Sequence, residues 1–577
     1  MAQQNLYLSQ PIVEIGGQPA PPELIKDLLQ ITIEESLHLP AMFTLVVHNS
    51  YYPTNDKAEY QTWRHEKVFE IGKKVRLGFS SSTTQDQNFN LEKKGYLIDG
   101  EITAIEVHFN KKSEAPIIVR GYDSSHRLHR GRQNRSFLNN TDSDIVRKIA
   151  QEVGILLGNI DESGAAHEYV FQENQTNMEF LRERAARIGF ELFIEEGKIN
   201  FRKPVAQEEV ELKWLDEISS FSTRVSSAEQ VSAVEVRSWD YQKKQVISHK
   251  AVSENVITDT GNKKGSNSTN KFNISKPPLM TVVDKPVSCA KEAQVMAQAL
   301  CDELGGEFVY ADAKAEGNPK IRPGRFVDLQ KMGDRFSGKY YITETRHFYS
   351  QRVYTTEFSV RGLRSGNLYN SISPQTRLQP GQTFLVGIVT NNHDPKGLSR
   401  VKVKFPTLTE EHESYWARMV SIGAGSGRGT DWLPEINDEV LVGFEHGDIH
   451  RPYIIGAVWN GKDAPPTPVK DSVVGGRVRL RTLKTRIGHQ LQFVDEDKGA
   501  SKTGICVETK GGHKIYLNDS EALIEIVSKR GHHIKMNDRT KSVSIHSKGN
   551  LSIKADGNME IKANGTITVN GAMIRLN

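Results

Sequence analysis

Residues 504–554 read GICVETKGGHKIYLNDSEALIEIVSKRGHHIKMNDRTKSVSIHSKGNLSIK, and one pattern runs through them. Two apolar residues flank a single, mostly polar one: Ile505/Val507, Ile515/Leu517, Ile524/Ile526, Ile534/Met536, Val543/Ile545 and Leu551/Ile553. It continues as Met559/Ile561, Ile567/Val569 and Ile574/Leu576. Successive pairs start 10, 9, 10, 9, 8, 8, 8 and 7 residues apart. Residues two apart share one face of a strand. Gly531, Gly549, Gly557 and Gly565 fall between pairs, where sharp turns need them. The reading is nine short strands with sharp corners and one apolar face.

Such a ribbon cannot stand alone. Its inward side chains bury too little to offset the backbone entropy of ordering the whole stretch, and both strand edges stay unpaired. Winding identical chains about one axis pairs those edges and encloses the apolar faces. An intertwined homotrimer is therefore expected, with the eight pairs from Ile505/Val507 to Ile567/Val569 as its core. A single-chain solenoid is the rival, but at 8 to 10 residues per unit it would end as a stub. His489, His513 and His532 share strand parity with the apolar residues that follow them. Three copies around an axis could bring imidazoles together to hold an ion; solvated corner positions are the plainer reading.

A second repeat lies upstream. IGKKVRLGF (71–79), GYLIDGEITAIEVHF (95–109) and PIIVRGYD (116–123) are echoed by RPGRFVDL (322–329), GKYYITETRHFY (338–349) and EFSVRGLR (357–364). Both sets alternate as half-buried strands and end in Arg-Gly. They read as two similar small β-barrels. Between them, Thr141–Asp144 looks like a capping box that opens a helix with Ile145, Val146, Ile149 and Ala150 on one face and Gly154 as its stop. Thr176–Glu179 opens another with Phe180, Leu181, Ala185 and Ile188, stopped by Gly189. A third helix is expected near 291–304, and all three faces are expected to pack on the barrels. The polar run 258–273 reads as a mobile loop.

Composition narrows the function classes. The 577 residues are 37% hydrophobic and 25% charged, with a net charge of +4, which is no nucleic-acid footprint. From Lys470 to Asn577 the count is 19 Lys/Arg against 11 Asp/Glu, so this part is basic and the rest slightly acidic. A solvated repeat surface explains that better than attraction to anionic membranes. No apolar run reaches membrane-spanning length, and the N-terminus shows no secretory signal, so synthesis and assembly in the cytoplasm are expected. Cys289, Cys301 and Cys506 are too scattered for a disulfide framework or a metal knuckle.

The stretch 387–460 runs GIVTNNHDPKGLSRVKVKFP, YWARMVSIGAGSGRG and WLPEINDEVLVGFEHGDIHRPYIIGAVWN. It looks like an oligosaccharide-binding (OB) fold barrel and resembles the central domain of the VgrG and phage baseplate-spike family. The matching pieces are Asp394-Pro395, 400–406, Trp416-Ala417-Arg418, 434–442, Gly447-Asp448 and Arg451-Pro452. Gly121-Tyr122-Asp123 and QENQTNMEFLRERAARIGF (172–190) resemble the family's hub, and the repeat that opens with Thr485-Arg486-Ile487-Gly488-His489 resembles its needle. The resemblance implies a mainly β chain. A hub-like region would fill 1–375, with barrel 1 at about 1–125, a helical insert at about 136–195 and barrel 2 at about 225–375. An OB-fold domain at 380–463, a linker at 464–477 and a triple-stranded β-prism needle at 478–577 would follow.

The resemblance also implies function. It makes the chain a homotrimeric spike at the tip of a contractile injection apparatus, carried outward when the machine fires and contacting the target membrane only in passing. Three chains with two barrels each would form a pseudo-sixfold ring on a hexameric inner tube protein. Baseplate proteins, effector cargo and a PAAR-type tip protein docked at Ile574 and Leu576 are the other expected partners. No cofactor and no nucleic acid are expected.

Local chemistry gives little to an enzyme. Gly423–Gly429 resembles a phosphate loop but lacks the Lys-Ser/Thr ending and a helix after it. Ser426 has Ala424 two residues before it, so it is no nucleophile elbow. His446, Asp448 and His450 alternate along a turn and could ligate a metal, although a barrel turn is the simpler reading. The linker DAPPTPVKDS leaves no room for an inserted hydrolase, and no effector domain is expected after the last pair. A cell-wall hydrolase-type effector and a receptor-binding tail fibre are the alternatives. A fibre has no use for a duplicated ring-forming hub.

Overall fold

The structure, a computed structural model, describes residues 8–49, 63–82, 93–108, 115–205, 209–240, 243–255, 258–272, 274–362 and 382–575. It divides into two compact units, 1–458 and 459–577.

In the first unit, alternating apolar residues build strands that bury one face. In chain order these are β1 (Leu8–Ile15), β2 (Leu28–Ser36), β3 (Met42–Val47), β4 (Lys74–Ser82), β5 (Lys93–Val107) and β6 (Ile117–Asp123). The later set is β7 (Ile218–Val225), β8 (Val309–Glu316), β9 (Phe326–Gln330), β10 (Gly338–Tyr341), β11 (Glu344–Ser350) and β12 (Val353–Val360). The early strands lie in the order β2-β3-β6-β5-β4 and the later ones in the order β7-β8-β12-β11, with β10 pairing on to β9. The duplicated sequence thus has a duplicated order of pairing. Ile102 sits opposite Gly121 across β5 and β6, beside a bulge, and a Cβ on Gly121 would come within 2.2 Å of the Glu101 carbonyl oxygen. At the second Arg-Gly a Cβ on Gly362 would meet the Glu307 side chain at 2.1 Å, which that side chain could yield by moving.

The two sets are joined. β11 pairs antiparallel with β2, from Glu344 opposite Ser36 to Ser350 opposite Gln30, so β7, β8, β12 and β11 share one eleven-stranded sheet with the early strands, while β9 and β10 lie in a separate four-stranded sheet. A buried ion pair reinforces the seam. Arg322 donates to Glu35 in β2 at 2.5 and 3.1 Å, and to the Leu97 carbonyl in β5 at 2.7 Å. His347 in β11 is fully buried beside it, on Tyr354 at 2.7 Å and the Ile321 carbonyl at 3.1 Å, and burial pushes it down to about 3.

Both capping boxes form. α1 (Asp142–Glu152) starts on Thr141 and Asp144, and α2 (Asn177–Ile188) starts on Thr176 and Glu179 and stops at left-handed Gly189. Neither packs on the large sheet as expected. Ile145, Val146, Ile149, Phe180 and Leu181 close a core of their own with Phe137, Val170, Leu192 and Phe201 from nearby short strands. α3 (Ala290–Gly306) buries Ala293, Met296 and Ala297 against Val234, Val236 and Ile247. The run at 258–272 is not a bare loop. It holds a short strand and two helical turns, with Ser266, Ser268 and Thr269 buried.

The OB domain is a five-stranded sheet of β13 (Leu385–Asn391), β14 (Lys402–Lys404), β15 (Arg418–Met419), β16 (Glu439–Phe444) and β17 (Pro452–Ala457), in the order β14-β13-β16-β17-β15. Val389, Val401, Val403, Val440, Val442 and Ile454 fill its core. Asp394 holds its first turn, accepting from the Lys396 and Leu398 amides at 3.0 and 2.9 Å and from Arg400 at 2.7 and 2.8 Å. The Arg400 guanidinium keeps that carboxyl well below the usual range.

In the second unit, the expected linker contains one helical turn (Val469–Ser472) and a hairpin that pairs 473–474 with 477–478. Buried Arg479 then fixes the chain direction, donating to the Asp471 and Glu496 carbonyls at 2.8 and 3.0 Å.

Candidate functional site

From Leu480 to His546 the second unit is one antiparallel meander. Its strands are β18 (Leu480–Lys484), β19 (Gln490–Val494), β20 (Gly504–Glu508), β21 (Lys514–Asn518), β22 (Leu523–Val527), β23 (His533–Asn537) and β24 (Ser542–His546). Each is five residues long. Reversals of five residues (509–513, 528–532) alternate with reversals of four (519–522, 538–541), which accounts for the spacing of 10, 9, 10 and 9 between pairs. This corrects the expectation that the strand edges here pair only between chains. Five residues suffice for a two-stranded register, and from 480 to 546 the chain supplies its own neighbours.

The register stacks the apolar residues in two columns on one face. Leu491, Val507, Ile515, Ile526, Ile534 and Ile545 form one; Phe493, Ile505, Leu517, Ile524, Met536 and Val543 form the other. The face is open. Ile534 is 38% exposed and Val543 is 68% exposed, where a core residue would be near zero. The opposite face carries the row Cys506, Tyr516, Glu525, Lys535 and Ser544. Cys506 is buried there, and burial pushes its thiol up.

After His546 the behaviour changes. Leu551, Ile553, Met559, Ile561, Ile567 and Val569 keep the alternation at a spacing of 8, yet residues 551–575 form no strand and no backbone hydrogen bond within the chain. A spacing of 8 would leave only three residues between five-residue strands, shorter than the four- and five-residue reversals used before it. All six side chains are at least half exposed, as is Ile574; Leu576 lies outside the described residues. Unpaired backbone beside exposed Ile and Leu is a costly combination in water.

His489, His513 and His532 close three equivalent corners. Each donates its amide to the hydroxyl of Thr485, Thr509 or Ser528 at 3.0 to 3.2 Å. Gly488, Gly512 and Gly531 precede them with φ of +101°, +83° and +85°, the left-handed region open to glycine. The His489 and His532 Nδ1 atoms accept from the Lys510 and Lys548 amides at 3.3 and 3.1 Å. His513 and His532 border a trough of about 490 Å³ lined by Ile515, Ile526 and Ile534. The imidazoles are spread along one sheet edge, and among the described residues no three His, Cys, Asp or Glu side chains converge for a metal.

Elsewhere, Gly423–Gly429 is a tight hairpin with Gly425 opposite Arg428. The exposed His450 ring sits on Asp448 at 2.7 Å, and His446 occupies a turn with φ of +52°. Among the described residues no helix is long and apolar enough to cross a membrane. Leu491 and Phe493 escaped the sequence reading, because the nine-residue reversal 495–503 breaks the period, though their own alternation was visible.

Residues 385–459 match the type VI secretion system/phage-baseplate injector OB domain, and residues 87–351 match the Alg8 N-terminal domain. The actin cross-linking toxin VgrG1 of Vibrio cholerae is 25% identical over 234 residues, which is 36% of this chain and 20% of that protein. The type VI secretion system spike protein VgrG3 of Vibrio cholerae is 31% identical over 101 residues, 17% of this chain and 10% of that protein. The chain thus spans no more than a fifth of the length of these curated relatives. Among solved structures, the 43 kDa tail protein of prophage MuSo2 from Shewanella oneidensis aligns at a TM-score of 0.45 and 15% identity, covering 61% of this chain and 98% of that one. With a mainly β fold, an injector OB domain at 385–459 and VgrG proteins among its relatives, the chain is similar to the VgrG and phage baseplate-spike family.

Proposed function

We propose that three copies of this chain form the spike at the tip of a contractile injection apparatus. The observation that carries this reading is the open face of the C-terminal sheet, followed by a run whose backbone has no partner in its own chain. Three sheets set around one axis bury both apolar columns of each copy. The run beyond 550 then gains strand partners by winding with its equivalents, so interwinding is assigned to that run alone. Such a prism is stiff and narrow, and force applied along it is concentrated at a point.

The hub strands give this reading its second support. Each chain carries a four-strand order twice, β2-β3-β6-β5 and β7-β8-β12-β11, so three chains would present six similar units, a match for a hexameric tube. Baseplate proteins, an effector cargo and a tip protein contacting the exposed Ile574 are the further partners in this proposal. The spike acts mechanically, with no chemical step assigned to any residue. Light scattering on the purified chain should give three times the chain mass of 64.8 kDa. A single-chain mass at micromolar concentration would end the proposal.

A further inference from the structure

The two edges of the C-terminal sheet differ in charge. One edge is made by the corners 485–489, 509–513, 528–532 and 547–550. They carry Arg486, Lys510, Lys529, Arg530 and Lys548 and no acidic residue. The other edge is made by 495–503, 519–522 and 538–541 and holds Asp495, Glu496, Asp497, Asp519, Glu521 and Asp538 among four cations.

Partners within the chain sharpen the difference. On the second edge Asp495 pairs with Arg481, Glu496 with Arg477 at 3.3 Å, and Asp497 accepts from Thr503 at 2.7 Å. Asp519 and Asp538 are exposed at equivalent corner positions, and among the described residues neither carboxylate has a hydrogen bond or ion pair. On the first edge Lys510, Lys529 and Lys548 are likewise exposed and without an acidic partner among the described residues. The lysines recur every 19 residues, and so do the two aspartates. Both columns therefore share a pitch of two strand spacings, about 9.5 Å. The His489 and His532 rings, each bonded to the amide of the lysine one corner on, keep the first column aligned. A file of like charges about 10 Å apart repels itself, since that distance is comparable to the Debye length.

Cyclic symmetry decides what these edges face. When three sheets close around an axis with their apolar columns inward, the first edge of each copy meets the second edge of the next, a heterologous contact repeated three times. We infer that this trimer is keyed by charge: Lys510, Lys529 and Lys548 of one copy face the column of Asp519 and Asp538 on its neighbour. The keying fixes both the rotational order of the chains and their axial register. It rests on the trimeric reading and adds the surface that selects the arrangement.

The test uses the full chain and three variants: Lys510→Gln/Lys529→Gln/Lys548→Gln, its Lys→Glu counterpart, and the Lys→Glu counterpart combined with Asp519→Lys/Asp538→Lys. Trimer dissociation is followed by light scattering on dilution, at about 50 mM and about 500 mM salt, across one Debye-length regime to another. Wild type should dissociate at a protein concentration about tenfold higher in high salt, the Gln variant should lose that salt dependence, and the Glu variant should dissociate most readily in low salt. Reversing both columns should bring the midpoint back towards wild type, a result that misfolding could not produce. Trimers of unchanged stability and salt response in the Gln and Glu variants overturn the keying and leave the spike reading standing. Loss of binding to phosphatidylserine vesicles by a Gln variant with an unchanged trimer also overturns it, making the column an envelope-facing surface. A wild-type chain that is monomeric fails the spike reading itself.

Discussion

Ile526→Asp is expected to leave a folded chain that no longer forms trimers. Ile526 sits mid-column between Ile515 and Ile534, and in the single chain it is 46% exposed. A carboxylate there is solvated in the monomer, so the meander should still form. In the trimer three carboxylates would converge beside the axis, where each chain loses about 2 kcal/mol of apolar burial and three like charges are desolvated together. That environment raises the carboxyl pKa in the trimer above its value in the monomer. Trimer stability is then present at low pH and lost as pH rises through the raised value. Light scattering should show a monomer at pH 8 and partial recovery of the trimer near pH 4.5. Ser544→Asp, which adds the same charge on the opposite face beside Lys535, should change stability by no more than about 0.5 kcal/mol. Ile553→Asp and Ser552→Asp make the same contrast in the run beyond 550. Equal trimers from both members of each pair would show that the apolar face is not the interface.

The sequence made some features legible and concealed others, for physical reasons. Period-two alternation and turn glycines are local signals, so the face shared by Ile505 to Ile545 could be read directly. So could the helix starts at Thr141 and Thr176, because a capping box lies within four consecutive residues. The duplication was visible because both copies keep the same alternation and end in Arg-Gly, and at Gly121 a Cβ would meet the Glu101 carbonyl oxygen. The pairing of β11 with β2 was not visible, since about three hundred residues separate the strands and neither carries a mark of its partner. Where α1 and α2 pack was hidden for the same reason: an amphipathic face states that it is buried and not against what. The change from self-pairing to unpaired chain after His546 did have a signal, the drop in spacing from 9 or 10 to 8. Spacing alone does not say whether the chain pairs with itself, because three residues would still suffice for a tight hairpin.

The seam between the first unit's two strand sets yields the other large effect. Arg322→Met is expected to destabilise that unit by about 3–5 kcal/mol, the range for removing one partner of a buried ion pair. Glu35 would keep its place in β2 with no cation in contact; its Oε2 already lacks a hydrogen-bond partner, and the nearest ring, His347 at 3.8 Å, is held neutral by burial. Burial already pushes the Glu35 carboxyl up, with Arg322 opposing, so removing the guanidinium raises it further. A carboxyl with a folded pKa above its unfolded one stabilises the fold at low pH and ceases to do so as pH rises. The deficit of Arg322→Met, measured by urea unfolding of the full chain, should therefore be largest at pH 8 and shrink towards pH 5. Adding Glu35→Gln removes the stranded charge and should recover about half of the loss, because what remains is the missing hydrogen bonds to Leu97 and Tyr96. A deficit independent of pH, or a double variant no better than the single one, would mean that Arg322 holds the seam by packing and backbone bonds alone.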